Sequence, residues 1–187
     1  MKPIKLATLT ILVALSISTN YIMISLYNVK LMDLIVFVGG FCFGPAVGAL
    51  TGVISWTVYG TLNPMGFSLP IWFATMFAES VYGIVGGLIG RALFSNDADE
   101  LRGKFRNACF FFGMLGMLLT FAYDIVTNVV FGYFSYSSIL VGVITGFVPF
   151  GLIHVVSNAF FFGLGCVPAI RVISDMTGGN RRDRLEE

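Results

Sequence analysis

The sequence predicts an all-α integral membrane protein, a compact bundle of six transmembrane helices with both termini in the cytoplasm. Hydrophobic residues make up 57% of the 187 residues and charged residues only 11%. The mean hydropathy is +0.88, and the basic residues cluster between long apolar stretches. A soluble domain carries about 25% charged residues. The shortage of charge therefore excludes a water-exposed globular surface, a disordered chain and a surface that binds nucleic acid.

The apolar stretches divide a single membrane domain, residues 1–187, into predicted spans. A helix that crosses a bilayer needs about 20 apolar residues. The second and third stretches are shorter and meet at Gly44-Pro45, and proline is accepted at the first turn of a helix but not in its interior. We therefore predict a tight turn there. The predicted spans are 6–26, 31–43, 45–59, 70–94, 107–131 and 149–170.

The basic residues predict the orientation. With six spans and a cytoplasmic amino terminus, every Lys and Arg except Lys30 falls on a cytoplasmic segment, including a charged tail at 171–187. Retention of Lys and Arg in the cytoplasm is the main signal of topology. One kinked helix over 31–59 would give five spans and split these charges across the membrane. A cleavable signal peptide ending near Ser18 is a competing interpretation of the amino-terminal segment, but its apolar run continues to Leu26.

Small residues recur every four positions on three predicted helices. In a bilayer such stripes let helix backbones approach closely. They predict packing within the bundle, docking of another membrane protein, or both. The stripes are Thr10, Ala14 and Ser18 on the first helix, Gly44, Gly48 and Gly52 on the third, and Gly83/Gly87 with Gly86/Gly90 on the fourth.

Ionisable side chains inside the predicted spans are the candidates for function, because charge is costly at membrane depth. They are Asp33, Glu79, Asp124 and His154. Asn128 and Asn158 follow Asp124 and His154 by four residues and so share their helix faces. Except for Asp33, these groups lie within roughly 5–15 Å of the predicted outer helix ends. The pattern indicates a pocket open to the outside rather than a continuous pore.

Aromatic residues flank the predicted pocket. Trp72 shares a helix face with Glu79, and Tyr133, Phe134 and Tyr136 fall in a predicted outer loop. Two interpretations stay open: an interfacial aromatic belt, or a lid that stacks on a ring-bearing ligand.

The chain resembles the substrate-binding S components of energy-coupling factor (ECF) vitamin transporters over nearly its whole length. The resemblance rests on the turn at 43–49, the loop at 62–67 before the helix that carries Glu79, the stretch 123–128, and the helix from Pro149 that carries His154 and Asn158. It implies capture of a vitamin or related micronutrient at the cell membrane. It also implies two kinds of partner, a transmembrane T component and two cytoplasmic ATPases.

The resemblance also implies where ligand and partner bind. The ligand would lie in the outer half of helices four to six, beneath the outer loops. The implied binding residues are Asn63, Trp72, Glu79, Asp124, Asn128, His154 and Asn158. The family docks through an AxxxA stripe on the first helix, where this chain has Ala14 and Ser18.

Two rival functions come from other classes. A small membrane enzyme could use Glu79, Asp124 and His154 on a lipid or isoprenoid, although the sequence has no Walker A, GxSxG or HExxH motif. A membrane assembly protein would need only the glycine stripes. We favour the carrier and expect no metal, cofactor or enzymatic activity. Acidic groups with amides and aromatic rings suit a ring-bearing ligand with hydrogen-bond donors, including a cation. We expect no basic residue in the pocket, because only Lys30 lies on that side, and this argues against a ligand bound through a carboxylate or phosphate.

Overall fold

The computed structural model describes residues 3–64, 66–93 and 105–176. The helices in these segments are α1 Pro3–Ile22, α2 Met32–Phe43, α3 Pro45–Thr61, α4 Leu69–Leu93, α5 Phe105–Tyr136, α6 Ile139–Gly146 and α7 Leu152–Met176. A kink at Phe147–Gly151, where Val148 has non-helical backbone angles (φ −112°, ψ 115°), joins α6 to α7. Part of the predicted topology lies outside the described residues, namely Phe94, most of the charged tail, and the basic residues Lys2, Arg102, Lys104, Arg181, Arg182 and Arg184.

Four helical segments are long and apolar enough to cross a membrane within the described residues. They are α1, residues 69–92 of α4, residues 106–136 of α5, and the continuous segment 139–176. The shorter helices α2 and α3 are separated by Gly44, whose φ is 97°. Gly48 of α3 lies against Gly40 of α2, so the chain reverses at Gly44 rather than continuing as one kinked helix.

The prediction of an outer loop after the fifth span is wrong. α5 continues through Tyr133 and Phe134 to Tyr136, and α6 begins only three residues later. Ser138 caps α6 by accepting a hydrogen bond from the backbone N–H of Val141. The backbones of α5 and α6 pack closely because glycines, Gly132 and Gly142, face each other there. This short helix therefore takes the place of the loop.

One end of the bundle holds the connection after α1, the connection after α3 and the turn between α5 and α6; we call it the upper end. The Tyr21 hydroxyl donates to the Leu62 carbonyl oxygen at 3.2 Å, and the Asn28 side-chain amide donates to the Phe150 carbonyl oxygen at 3.0 Å. These bonds tie the end of α1 and the segment 23–31 to two neighbouring parts of the chain. The turn at Gly44 lies at the opposite, lower end.

The centre of the bundle is α2. Ten of its 12 residues are buried, because α1, α3, α4 and α7 all pack around it. Its side chains include Phe37 and Phe41, which pack against Phe112 and Phe162 of α5 and α7. An isolated helix this short could not cross a bilayer, but α2 faces protein and not lipid.

The glycines of α4 allow its close approach to two neighbours. Gly86 and Gly90 lie against the backbone carbonyls of Phe37 and Phe41 in α2. The other pair faces α3, with Gly83 against Gly48 and Gly87 against Pro45. One helix thus uses each of its two overlapping GxxxG faces for a different partner helix.

The two predicted docking stripes have different outcomes. Gly44, Gly48 and Gly52 are buried, and Gly48 and Gly52 contact α4. This ridge packs within the bundle, so it is not free to dock another protein. Thr10, Ala14 and Ser18 lie on the exposed side of α1.

We expect Gly83→Val to destabilise the bundle. A side chain at Gly83 would collide with the backbone of Gly48 and Ala49, and overpacking of this kind costs about 1–3 kcal/mol or more. The melting temperature of the detergent-purified protein should fall by about 3 °C or more. Ala14→Val, the matched control on an exposed face, should leave it unchanged. An unaltered melting temperature for Gly83→Val would contradict the packing described here.

Candidate ligand-binding site

A cavity of about 360 Å³ opens at the upper end of the bundle. Its volume lies near the lower limit of ligand pockets, about 300–1,000 Å³. Aromatic rings form much of its wall, namely Trp56, Tyr59, Tyr123, Phe131 and Phe150. The polar lining consists of Asn20, Asn28, Asn63, Thr75, Thr127 and Asn128, and the charged residues in the lining are Lys30 and Asp124.

The shortness of α2 creates the space for this cavity. Twelve residues extend about 18 Å, whereas the hydrocarbon core is about 30 Å thick. The chain therefore enters α2 well below the upper end, and the segment 23–30 lines the cavity above it. Lys30, just before the helix, is in the cavity wall, but Asp33 is fully buried beneath it.

On α4, and on the segment that leads into α7, residues one helical turn apart show the same change from cavity lining to buried interior. Thr75 lines the cavity while Glu79, one turn further along α4, is fully buried. Phe150 lines the cavity while His154 is fully buried. Side chains one helical turn below the lining thus form a closed layer under the cavity floor.

This layer contains a buried polar network centred on His154. The Nε2 atom of His154 lies 2.7 Å from Asp33 Oδ2, and its Nδ1 atom lies 3.0 Å from Asp124 Oδ1. The Asn158 amide donates to the same Asp33 oxygen and to Thr120 Oγ1. The network joins α2, α5 and α7, and Asp124 connects it to the cavity.

The two short contacts of His154 determine how many protons the triad holds. Each contact joins a ring nitrogen to a carboxylate oxygen, so each requires a proton between the two atoms. Two carboxylates, one imidazole and two shared protons carry a net charge of −1. Asp33 lies in the first turn of α2, where the helix dipole favours negative charge.

Glu79 supports the wall of the cavity from below. Its Oε2 atom accepts a hydrogen bond from the Trp56 indole N–H at 3.0 Å, and Trp56 lines the cavity. The backbone of Glu79 lies against Gly52 of α3, which brings the carboxylate close enough to reach Trp56. Glu79 thus positions a lining residue without lining the cavity.

Lys30 brings a positive charge into the cavity. Its ammonium lies 5.2 Å from the ring centre of Trp56 and 5.6 Å from that of Tyr123. Within the described part of the chain it forms no salt bridge with a carboxylate. The expectation that the predicted pocket contains no basic residue is therefore wrong.

The structure places the predicted binding residues in three different positions relative to the cavity. Asn63, Asp124 and Asn128 line the cavity. Glu79, His154 and Asn158 are fully buried below it. Trp72 does neither: its indole N–H donates to the Thr57 carbonyl oxygen at 3.3 Å, and its ring packs against Phe67 and Phe73.

Several lining residues were missed from the sequence. Trp56 and Tyr123 are aromatic residues within apolar helices, where nothing in the pattern separates a cavity wall from a packed core. Lys30 did carry a signal, because it is the basic residue that departs from the predicted cytoplasmic distribution.

Three lining residues present buried polar atoms that have no hydrogen-bond partner among the described residues. They are the Oδ1 atom of Asn20, the hydroxyl of Tyr123 and the Oδ2 atom of Asp124. Buried polar groups in folded proteins are rarely left without a partner. Each atom belongs to a lining residue but is itself shielded from solvent, so the side chain would have to turn to present it to a ligand.

His154→Leu should strongly destabilise the protein, because it would leave the buried carboxylates of Asp33 and Asp124 without their shared protons. Breaking such a buried pair costs about 3–5 kcal/mol, so the melting temperature in detergent should fall by about 6 °C or more. Adding Asp33→Asn and Asp124→Asn to this variant should recover part of the loss. Val156→Ala, a neighbouring control on the exposed face of α7, should melt like the unaltered protein. A single variant as stable as the parent would contradict the network.

Comparison with known proteins identifies the family of this chain. The family model described as ECF transporter, substrate-specific component, matches residues 4–164. No curated protein and no solved structure matches the chain. The matched region includes every residue that lines the cavity, and its apolar helices are those of a multi-pass membrane protein. The chain therefore belongs to the substrate-specific components of ECF transporters.

Proposed function

We propose that this chain captures a vitamin or related micronutrient outside the cell and passes it to an ATP-driven ECF importer, with the ligand held in the upper cavity. The observation that carries this proposal is a cavity at the upper end of the bundle, lined by aromatic rings together with polar and charged side chains. Such a combination of apolar wall and a few polar groups is typical of small-molecule sites.

The distribution of charge supports an upper end that faces outside. Among the described basic residues, Lys5, Arg91, Arg106 and Arg171 lie near the lower ends of α1, α4, α5 and α7. Lys and Arg favour the cytoplasmic side, so both termini would lie in the cytoplasm. The cavity would then open away from the ATPases.

The partners in this proposal are a transmembrane T component and two cytoplasmic ATPases. The sequence itself has no phosphate-binding loop of the Walker A type, so ATP would be hydrolysed by the partners. The exposed stripe Thr10, Ala14 and Ser18 on α1 is the surface at which a helix of the T component could approach closely.

The geometry does not favour the membrane-enzyme alternative. That mechanism needs Glu79, Asp124 and His154 at one substrate. Asp124 alone of the three lines the cavity, and the other two are fully buried. A general acid or base must come within hydrogen-bonding reach of the group it protonates or deprotonates. In this arrangement two of the three do not.

The first test is native mass spectrometry of the protein purified in detergent from cells grown in rich medium. We expect a bound small molecule, because the cavity combines aromatic rings with polar and charged side chains that suit a small ligand. Asn128→Ala should reduce the bound fraction, by about tenfold if the lost hydrogen bond contributes about 1.4 kcal/mol. Thr145→Val, an exposed change outside the cavity, should retain the ligand. Purified protein without any ligand, and without affinity for one on addition of yeast extract, would overturn the proposal.

The second test concerns docking. Ala14→Leu should reduce ATP-driven uptake in cells that also produce the T component and the ATPases, because the larger side chain would hold the partner helix away from α1. Ligand binding by the purified variant should remain unchanged, since Ala14 is far from the cavity lining. Leu164→Phe, on the exposed face of α7, is the control. Full uptake by Ala14→Leu would exclude this stripe as the docking surface.

A further inference from the structure

From the charges that line the cavity we infer that the ligand is a compact ring-bearing acid, whose anionic group binds the Lys30 ammonium. This inference rests on the proposed function, because it names the class of solute that the same cavity takes. The sequence alone instead favours a ligand with hydrogen-bond donors, including a cation, rather than an acid.

The two charged residues in the lining are not equally compensated by the protein. Asp124 shares a proton with His154 through its Oδ1 atom at 3.0 Å. Lys30 has no carboxylate within salt-bridge distance in the described chain. Although the buried triad carries a net negative charge, none of its carboxylates reaches Lys30. The ammonium at the cavity wall therefore has no direct ionic partner in the described chain, and an anionic ligand could supply one.

The aromatic contacts of Lys30 hold its charge in position without satisfying its hydrogen bonds. A cation over the faces of Trp56 and Tyr123 is attracted by the ring electrons. That attraction leaves the three N–H donors of the ammonium without an acceptor. The rings thus fix the ammonium at the wall, where a carboxylate or phosphate oxygen of the ligand could accept from it.

The buried carboxylates nearby do not replace a ligand anion. Asp33 and Glu79 attract Lys30 electrostatically, but neither forms a salt bridge with it. Glu79 accepts a hydrogen bond from the indole N–H of Trp56, and the Lys30 ammonium lies over the face of the same indole ring. The ring therefore contacts both groups, while neither carboxylate forms a salt bridge with the ammonium.

The polar side chains of the lining indicate the remaining chemistry of the ligand. The Tyr123 hydroxyl has no hydrogen-bond partner among the described residues and belongs to a ring that Lys30 faces, so a shift of that side chain would let it donate to the same acidic group. The lining amides and hydroxyls, among them Asn28, Thr127 and Asn128, donate and accept hydrogen bonds, so the ligand would also carry polar groups that match them. Tyr59 and Phe150 offer ring faces in the same wall. A cavity of about 360 Å³ suits one or two rings and is too small to enclose a ligand the size of cobalamin.

The charge of the captured molecule tests this inference directly. Yeast extract is passed over an anion-exchange resin, which separates anionic small molecules from neutral and cationic ones. Ligand-free protein is then incubated with each fraction and examined by native mass spectrometry. We expect a ligand from the anionic fraction only. Capture from the neutral or cationic fraction alone would overturn the inference that the ligand is an acid and would leave the carrier function unaffected. Capture from no fraction would overturn the carrier function itself.

Variants of Lys30 identify the residue that binds the acid. Lys30→Gln should weaken binding of the captured molecule by about tenfold to a hundredfold, as expected for a charged hydrogen bond. Lys30→Arg should retain most of the affinity, and Lys5→Gln, which removes the same charge at the lower end, should change nothing. Tyr123→Phe keeps the ring and removes only the hydroxyl, so it tests the same contact if Lys30→Gln does not fold. Unchanged affinity in Lys30→Gln or, where that variant does not fold, in Tyr123→Phe would exclude this contact.

Discussion

The length of α2 is the constraint on which the rest of the structure depends. A helix of 12 residues spans only about 18 Å of a hydrocarbon core about 30 Å thick, so it can exist in the membrane only where other helices surround it. The glycines of α3 and α4 allow this enclosure, because backbones pack directly against α2 at Gly40, Phe37 and Phe41. The same shortness leaves the upper third of the bundle centre without a helix, and that space is the cavity.

Because α2 begins inside the protein, below the cavity, buried polar residues gather around its first turn. The first turn of α2 ends inside the protein, so its free N–H groups and Asp33 face protein rather than water. His154 and Asn158 supply the hydrogen bonds that Asp33 would otherwise take from solvent. Through His154 the network reaches Asp124, a residue of the cavity lining. The layer that keeps α2 stable therefore also positions a carboxylate of the cavity wall.

Much of this arrangement could be predicted from sequence, and the failures have physical causes. The separation of α2 from α3 followed from Gly44-Pro45, and the membrane class followed from the scarcity of charge. The polar groups of α4, α5 and α7 do converge, but helical periodicity gives a residue's face and approximate depth, not whether a neighbouring chain covers it. Glu79 and Asn158 were therefore not distinguishable from Asn63 and Asn128. The helix at 139–146 was missed because its packing depends on Gly132 and Gly142, which meet only in the folded chain.

Lys30 shows how one departure from a general rule can carry information. A basic residue on the outer side of a membrane protein opposes the tendency that orients the chain, and alone it could be a surface residue without consequence. In the fold it lies between two aromatic rings at the wall of the cavity, above three buried carboxylates. Their negative field makes a positive charge tolerable at this depth, and the rings keep that charge out of direct contact with them. The ammonium is therefore held at the cavity wall without a salt bridge in the described chain, where an anionic ligand could pair with it.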